Sequence, residues 1–549
     1  MSHMEYGVVE ENIMRAIQKQ RARVSRIAVS AVTLTALAAV ASAPAALAQH
    51  PTRTPATPAS GGTISYRDGN IPTCVDPLIA PTSAEGLADY PTFDNLVLLD
   101  GRGNARPDLA TSWSFSHGGR WMTFQLRHGV VFSNGDPFDA SVVKFNLQRV
   151  LGPVGQTAGM SSFLGPLRSV TVDNKYQVTL VFATPFRPAL PNLANDSLGI
   201  VDPIALKQEG ATKFCQYPIG TGPFKIQTYA SGGTQITLVK NPLHTWETPW
   251  AQHNGPAYLD KIVLKPIVSD STAVSELLSG GVDISQVAGS QVNRLKGNSS
   301  IQQYRVLGQF LVSLGFKTSQ ALFNKVEVRK AIAEAVDRNA LIQVALNGLG
   351  VPASSPLGSN VPFYDPATKS LAPQYNPNDA QRILSANHVT GPFTLLSSNS
   401  PAILAADEII QGELANVGVK VSIVSKPTAD YIPLAQKGNF DLIVDNFYAP
   451  DADVLYALYD STQETGGGLN FTFYKSTQLD NLLVAGRSTT NSKDAAAAYS
   501  AAQRYILRNV ITDPLWTPEV VYGVRKNVQG FHTDVTGLWP LFQDLYLTK

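Results

Sequence analysis

From Trp121 to Leu126 the chain alternates bulky and polar side chains at period two, the signature of a strand with one buried face. The period then changes. Over 139–150, Val142, Val143, Phe145, Asn146 and Leu147 fall at helical spacing, with Asp139 placed to cap the first unpaired amides. The same reading predicts strands at Thr63–Tyr66, Phe224–Ile226, Thr234–Val239 and Lys261–Pro266, with an ordered block from Asn95 to Leu99. A short helix over Ser271–Ser279 is stopped by Gly280-Gly281 and followed by a return to strand at Val282-Asp283-Ile284. Between about 313 and 516 helical patterns dominate, over Val326–Leu346, Pro401–Val417 and Lys493–Leu507. They alternate with strand-like runs at 419–423 and 440–444, and Val520–Val524 follows near the C-terminus together with a strand region ending near Leu547. Helices alternating with apolar strands predict an α/β fold, and no fixed-period repeat points to a solenoid or propeller.

The first 48 residues stand apart from this pattern. Arg21, Arg23 and Arg26 precede an apolar, alanine-rich stretch from Ile27 to Ala48 that ends in Ala46-Leu47-Ala48, as in a cleavable secretory signal. An uncleaved anchor and a buried helix are the alternatives, with Pro44 interrupting the run. Met14 is a candidate natural start. No Cys follows the apolar run, so the chain is expected to be exported without an evident lipid anchor. Residues 49–60, rich in Pro and Thr, read as a flexible tether, and the folded part begins near Gly61.

Cleavage after Ala48 leaves 501 residues, enough for two or three domains. It also removes five Lys/Arg and three Asp/Glu, taking the formal charge from +1 to −1. That balance excludes the basic excess of a nucleic-acid binder. Two cysteines, Cys74 and Cys215, allow one intrachain disulfide in an oxidising compartment, with two buried free thiols as the alternative. The eight histidines form no His-Glu-x-x-His pattern and no close Cys/His cluster, so spacing predicts no metal site. No Gly-x-Ser-x-Gly elbow or Ser-x-x-Lys context signals a nucleophile, and no catalytic residue or cofactor is assigned. Gly220-Thr221-Gly222 lacks the Gly-Lys-Ser/Thr of a phosphate loop and reads as a structural turn.

Several blocks carry a resemblance. Gly61-Gly62-Thr63, Asp76-Pro77 and Pro107-Asp108-Leu109-Ala110-Thr111-Ser112-Trp113 come first, followed by the specific run Thr123 to Ala140. Pro218 to Phe224, Leu277 to Asp283 and Val326 to Arg338 follow in order. The chain thereby resembles the bacterial extracytoplasmic solute-binding proteins of family 5, which serve peptide, oligopeptide and nickel importers, over nearly all of its mature length. The resemblance implies an α/β, type II periplasmic-binding-protein-like fold of two lobes with an accessory subdomain and a hinged interlobe cleft. Carried onto this chain, lobe one is expected at 61–312 with the accessory subdomain at about 96–214, lobe two at 313–516, and a return to lobe one at 517–549. Gly315-Phe316-Lys317-Thr318 departs from the Phe-Asn that family members commonly carry near the crossover.

The resemblance further implies a non-enzymatic, monomeric protein of the periplasm or extracytoplasmic space that captures a small polar organic solute, such as a peptide, and presents it to the permease subunits of an ABC importer. A sugar-derived solute, a chelated metal and a sensory role are alternatives, and a secreted hydrolase is a remote one. The candidate pocket segment runs from Asp445 to Asp453. Phe447 and Tyr448 offer flat apolar contact, and Asp445 or Asp451 offers acceptors to an amine or hydroxyls, with Asn446 between them. Asp451 and Asp453 alternatively cap the helix that follows, and Phe447 belongs to the core. Aligned with the family's peptide binders, Tyr448 stands where an acid meets the peptide's amino terminus, so a peptide loses that partner unless Asp445 supplies it from a shifted position.

Overall fold

Thr512–Arg525, a strand of 14 residues, belongs to two sheets at once. Its first half pairs antiparallel with Phe310–Phe316 and Gly350–Pro352. Its second half pairs with Ile284–Gln286 and Ile301–Leu307. Pro518 sits where the strand changes partners and offers the ladder only its carbonyl, which accepts from the Gly308 N–H at 3.0 Å. The chain thus passes between the sheets twice, at 307–310 and at 516–519. These observations come from a computed structural model that describes residues 58–69, 72–79, 86–101, 103–158, 160–230, 235–246, 248, 251, 253–448, 450–464 and 468–548. The expected signal at 1–48 lies outside the described residues, as does the expected tether apart from 58–60.

The first lobe is built on Thr63–Asp68, which pairs in parallel with Lys261–Pro266 and with Ile284–Gln286, while Ile236–Lys240 and Phe224–Tyr229 extend the sheet antiparallel. An accessory sheet adds Ala110–Ser116, Trp121–Leu126, Gln177–Phe182 and Leu167–Asn174 in that order. It is covered by the helix Ala140–Leu151, whose Asp139 side chain accepts from the amides of Ser141 and Val142. Phe124, Phe132, Val143 and Leu180 are fully buried between these layers. Cys74 and Cys215 are joined as a disulfide, tying the opening segment to the end of the helix Pro203–Gln216.

In the second lobe Leu442–Tyr448 pairs antiparallel with Phe310–Phe316 and in parallel with Phe393–Ser398, which pairs in parallel with Val421–Lys426. Leu395, Ile410, Leu414 and Leu442 are fully buried where the helix Pro401–Asn416 packs on this sheet. The stripe Ala495, Tyr499, Ala502 and Ile506 of the helix Ser492–Arg508 is buried in a separate cluster with Leu479 and Leu483 of the helix Thr477–Arg487.

Two expectations need correction. The continuous helix at 326–346 is two helices, Val326–Glu334 and Arg338–Val344, because the Asp337 side chain caps the amides of Asn339 and Ala340 and starts a new helix. The strand expected at 440–444 continues through Tyr448, because its partner Phe310–Phe316 runs alongside for the full seven residues. Asp445 to Tyr448 therefore lie within a strand and not on a loop.

Candidate functional site

Where the two lobes meet, a cavity of about 290 Å³ opens against the start of Phe310–Phe316 and the end of Leu442–Tyr448. Phe310 and Tyr448 are directly paired across these strands, their ring centroids 5.5 Å apart, and form the second lobe's wall. The first lobe answers with Tyr90, from the helix Gly86–Thr92, with Asp196 from a 3-10 turn, and with Asp534 and Trp539 from the C-terminal loop. That loop is pinned by Tyr522, whose hydroxyl donates to the carbonyls of Gly537 and Leu538 at 3.0 and 2.6 Å.

Asp534 organises the loop from within. Its Oδ1 accepts from the Thr536 hydroxyl at 2.7 Å and the Trp539 amide at 3.1 Å, while Oδ2 has no hydrogen-bond partner among the described residues. Burial, with a smaller contribution from Asp196, pushes its carboxyl up to about 6. Burial, then Asp534 and Asp196, also raise the Tyr448 phenol well above its ordinary value, so it remains a neutral donor. A second cavity of about 50 Å³ is lined by the first lobe and shares Tyr90 and Asp196 with the larger one.

Of the five residues proposed from the sequence, Tyr448 lines the interlobe cavity. Asp445 is buried in the strand opposite Ser313, and desolvation raises its carboxyl to about 8. Asn446 is exposed beside Val312. Phe447 packs on Phe471 at 5.8 Å between centroids. Asp451 is paired with Arg187 and also accepts from the Asp453 amide. Asp445, Asn446, Phe447 and Asp451 line neither cavity. Sequence reasoning passed over Asp196 and Asp534, since Asn-Asp-Ser and Thr-Asp-Val-Thr read as ordinary turns. Among the described residues no group of three or more His, Cys, Asp or Glu side chains is placed to hold a metal ion.

The model for bacterial extracellular solute-binding proteins, family 5 Middle, matches residues 104–468, more than half of the chain. The chain belongs to this family. As a family 5 protein it is the non-catalytic substrate-binding component of an ABC importer and works outside the cytoplasm. No helix among the described residues is long and apolar enough to cross a membrane. The probable D,D-dipeptide-binding periplasmic protein DdpA of Escherichia coli K12 is 25% identical over 476 residues, covering 84% of this chain and 89% of that protein. The glutathione-binding protein GsiB of the same strain is 25% identical over 472 residues, covering 84% and 90%. The solved periplasmic binding protein DppA of Helicobacter pylori, in complex with the peptide STSA, superposes with a TM-score of 0.74 at 25% identity, covering 89% of this chain and 99% of that one.

The two lobes of this family 5 protein also touch away from the cavity. Arg187, just after the accessory-sheet strand Gln177–Phe182, pairs with Asp451 and donates to the Gly486 carbonyl at 3.4 Å, and its guanidinium lies 4.8 Å from the Phe363 ring centroid and 5.3 Å from that of Tyr499. Next to it the Arg487 guanidinium stacks on Tyr456 and lies 5.2 Å from the Phe186 ring centroid.

Proposed function

We propose that this protein captures a peptide-like solute in the interlobe cavity, with Tyr448 in contact with it, and hands it to its importer when the lobes part. The observation that carries the reading is a chamber whose walls come from both lobes, since a guest that touches both sides favours the closed form. Relatives named for a D,D-dipeptide and for glutathione, and the peptide-bound structure, support a short peptide-like guest. The volume agrees, lying near the low end of small-molecule pockets, which begin at about 300 Å³. The division into lobes at 61–312, 313–516 and 517–549 is part of the proposal, with the strand passages at 307–310 and 516–519 as the hinge.

Native mass spectrometry of the exported protein, followed by mild denaturation and identification of what is released, tests the proposal. An unchanged small solute is expected, and its return is expected to protect the amides near Phe310 and Tyr448 from hydrogen exchange. A bound solute that protects neither strand end sinks the cavity as the binding site.

A further inference from the structure

The wall of the interlobe chamber is uneven in charge. Asp196 and Asp534 both line it, and among the described residues no Lys, Arg or His does. The smaller adjoining cavity continues the imbalance, its described lining holding Asp89, Asp94, Asp108 and Asp544 beside the imidazole of His532.

Acids alone do not make a site, but Asp534 carries a second and independent mark. It is only 4% exposed, one of its oxygens is committed to holding the loop, and the other has no hydrogen-bond partner among the described residues. A buried carboxylate oxygen without a donor, on a residue that lines the chamber, is costly, and that cost is relieved by a donor that arrives with the guest. A charged N–H donor relieves most of it, since hydrogen bonds between ionised groups are the strong ones. The remaining walls suit the same chemistry. Phe310, Tyr448, Tyr90 and Trp539 present rings, whose faces attract a cation within about 6 Å of the centroid. A guest carboxylate, in contrast, finds no basic partner among the described wall residues and is repelled by the two acids.

We infer that the chamber selects a solute carrying a protonated amine or guanidinium and no free carboxylate, with the cationic N–H groups seated on Asp534 beside Asp196. This names the solute class for the chamber proposed above and depends on that chamber being the binding site. It narrows peptide-like to cationic and C-terminally blocked or decarboxylated compounds.

A matched panel tests it. Ala-Phe and Gly-Leu are each presented as the free acid, as the C-terminal amide and as the N-acetylated amide, and binding is measured by isothermal titration calorimetry at pH 7.5. The amides with a free amine are expected to bind at least tenfold more tightly than the free acids, and the N-acetylated amides to show no binding. Asp534→Asn keeps the oxygen that holds the loop and is expected to cost at least tenfold in affinity for the amides while leaving thermal unfolding of the empty protein in place. Should Asp534→Asn fail to fold, Asp196→Asn is expected to give a loss of the same direction.

Free acids that bind as well as the amides overturn the inference, as do N-acetylated amides that bind, amides that do not bind, or an unchanged affinity in both variants. Hydrogen exchange separates the two levels. A bound free acid that protects Phe310 and Tyr448 leaves the chamber standing and removes its charge preference, whereas a bound ligand that protects neither removes the chamber itself.

Discussion

Asp407 shows what a single carboxylate does when a helix carries it into a core. It is fully buried, Oδ2 accepts from the Ser397 hydroxyl, and Oδ1 has no hydrogen-bond partner among the described residues, so desolvation raises its carboxyl to about 7. Between an unfolded value near 4 and the folded value near 7 the folded chain holds a proton that the unfolded chain has released. Its contribution to stability is therefore greatest below about pH 4 and is lost as pH rises through 7. Asp407→Asn removes this titration. It is expected to raise stability at pH 8 by on the order of 2 kcal/mol and to change little at pH 5, read as the difference between calorimetric scans at the two pH values. Tyr448 poses the opposite case, a half-buried ring that lines the chamber. Tyr448→Ala is expected to weaken solute affinity about tenfold or more while lowering stability by less than about 2 kcal/mol. Unchanged affinity in titration calorimetry with a large fall in the unfolding temperature would place the ring in the core instead.

Among the elements, the turn Gly220-Thr221-Gly222 is held by backbone contact. A Cβ on Gly220 would stand 2.1 Å from the Thr92 carbonyl oxygen, and one on Gly222 would stand 2.6 Å from that of Pro91, while the Thr221 hydroxyl donates to Asp94 at 2.7 Å. The motif thus seats the helix that carries Tyr90. Gly220→Ala is expected to destabilise by about 1–3 kcal/mol or more through overpacking. Gly412→Ala, in a helix with nothing within 4 Å of the added carbon, is expected to stabilise by about 0.5–1 kcal/mol. Thermal unfolding of the pair checks the sign of each. Elements of this kind were legible wherever the deciding contact was close in sequence. The Asp139 cap, the Gly280 stop at φ +88° and the alternation of Trp121–Leu126 follow from neighbours a few residues away. The break at Asp337 and the length of Leu442–Tyr448 did not, since the first competes with an unbroken apolar stripe and the second depends on a partner strand more than a hundred positions distant.

Across the whole molecule, closure is held by more than the chamber. Arg187 is nearly enclosed between Asp451, Phe363 and Tyr499, and the carboxylate beside it holds its guanidinium firmly protonated despite burial. An arginine that leaves the first lobe to pair inside the second stabilises the closed arrangement over any open one in which the pair is separated. Arg187→Ala is expected to lower solute affinity about tenfold without touching the solute and to raise the radius of gyration of the empty protein in small-angle scattering. An Asp451→Ala change added to it is expected to cost little more, as for two partners of one contact. An unchanged radius with unchanged affinity would remove Arg187 from closure.

The amino-acid order by itself determined the α/β character, most strand and helix positions, the cap and stop residues, and the family to which the chain belongs. Each depends on periodicity or on short blocks, which survive without knowledge of what packs against them. Only the tertiary structure decided which side chains line the interlobe chamber. Tyr90, Asp196, Phe310, Tyr448 and Asp534 come from five segments spread over most of the chain. Their convergence is produced by two sheets sharing one long strand, and local sequence carries no record of where such a strand brings distant turns together. The same reason accounts for Asp445 and Asp451, which read as acceptors for a guest but are taken up by the strand core and by Arg187 once the lobes are assembled.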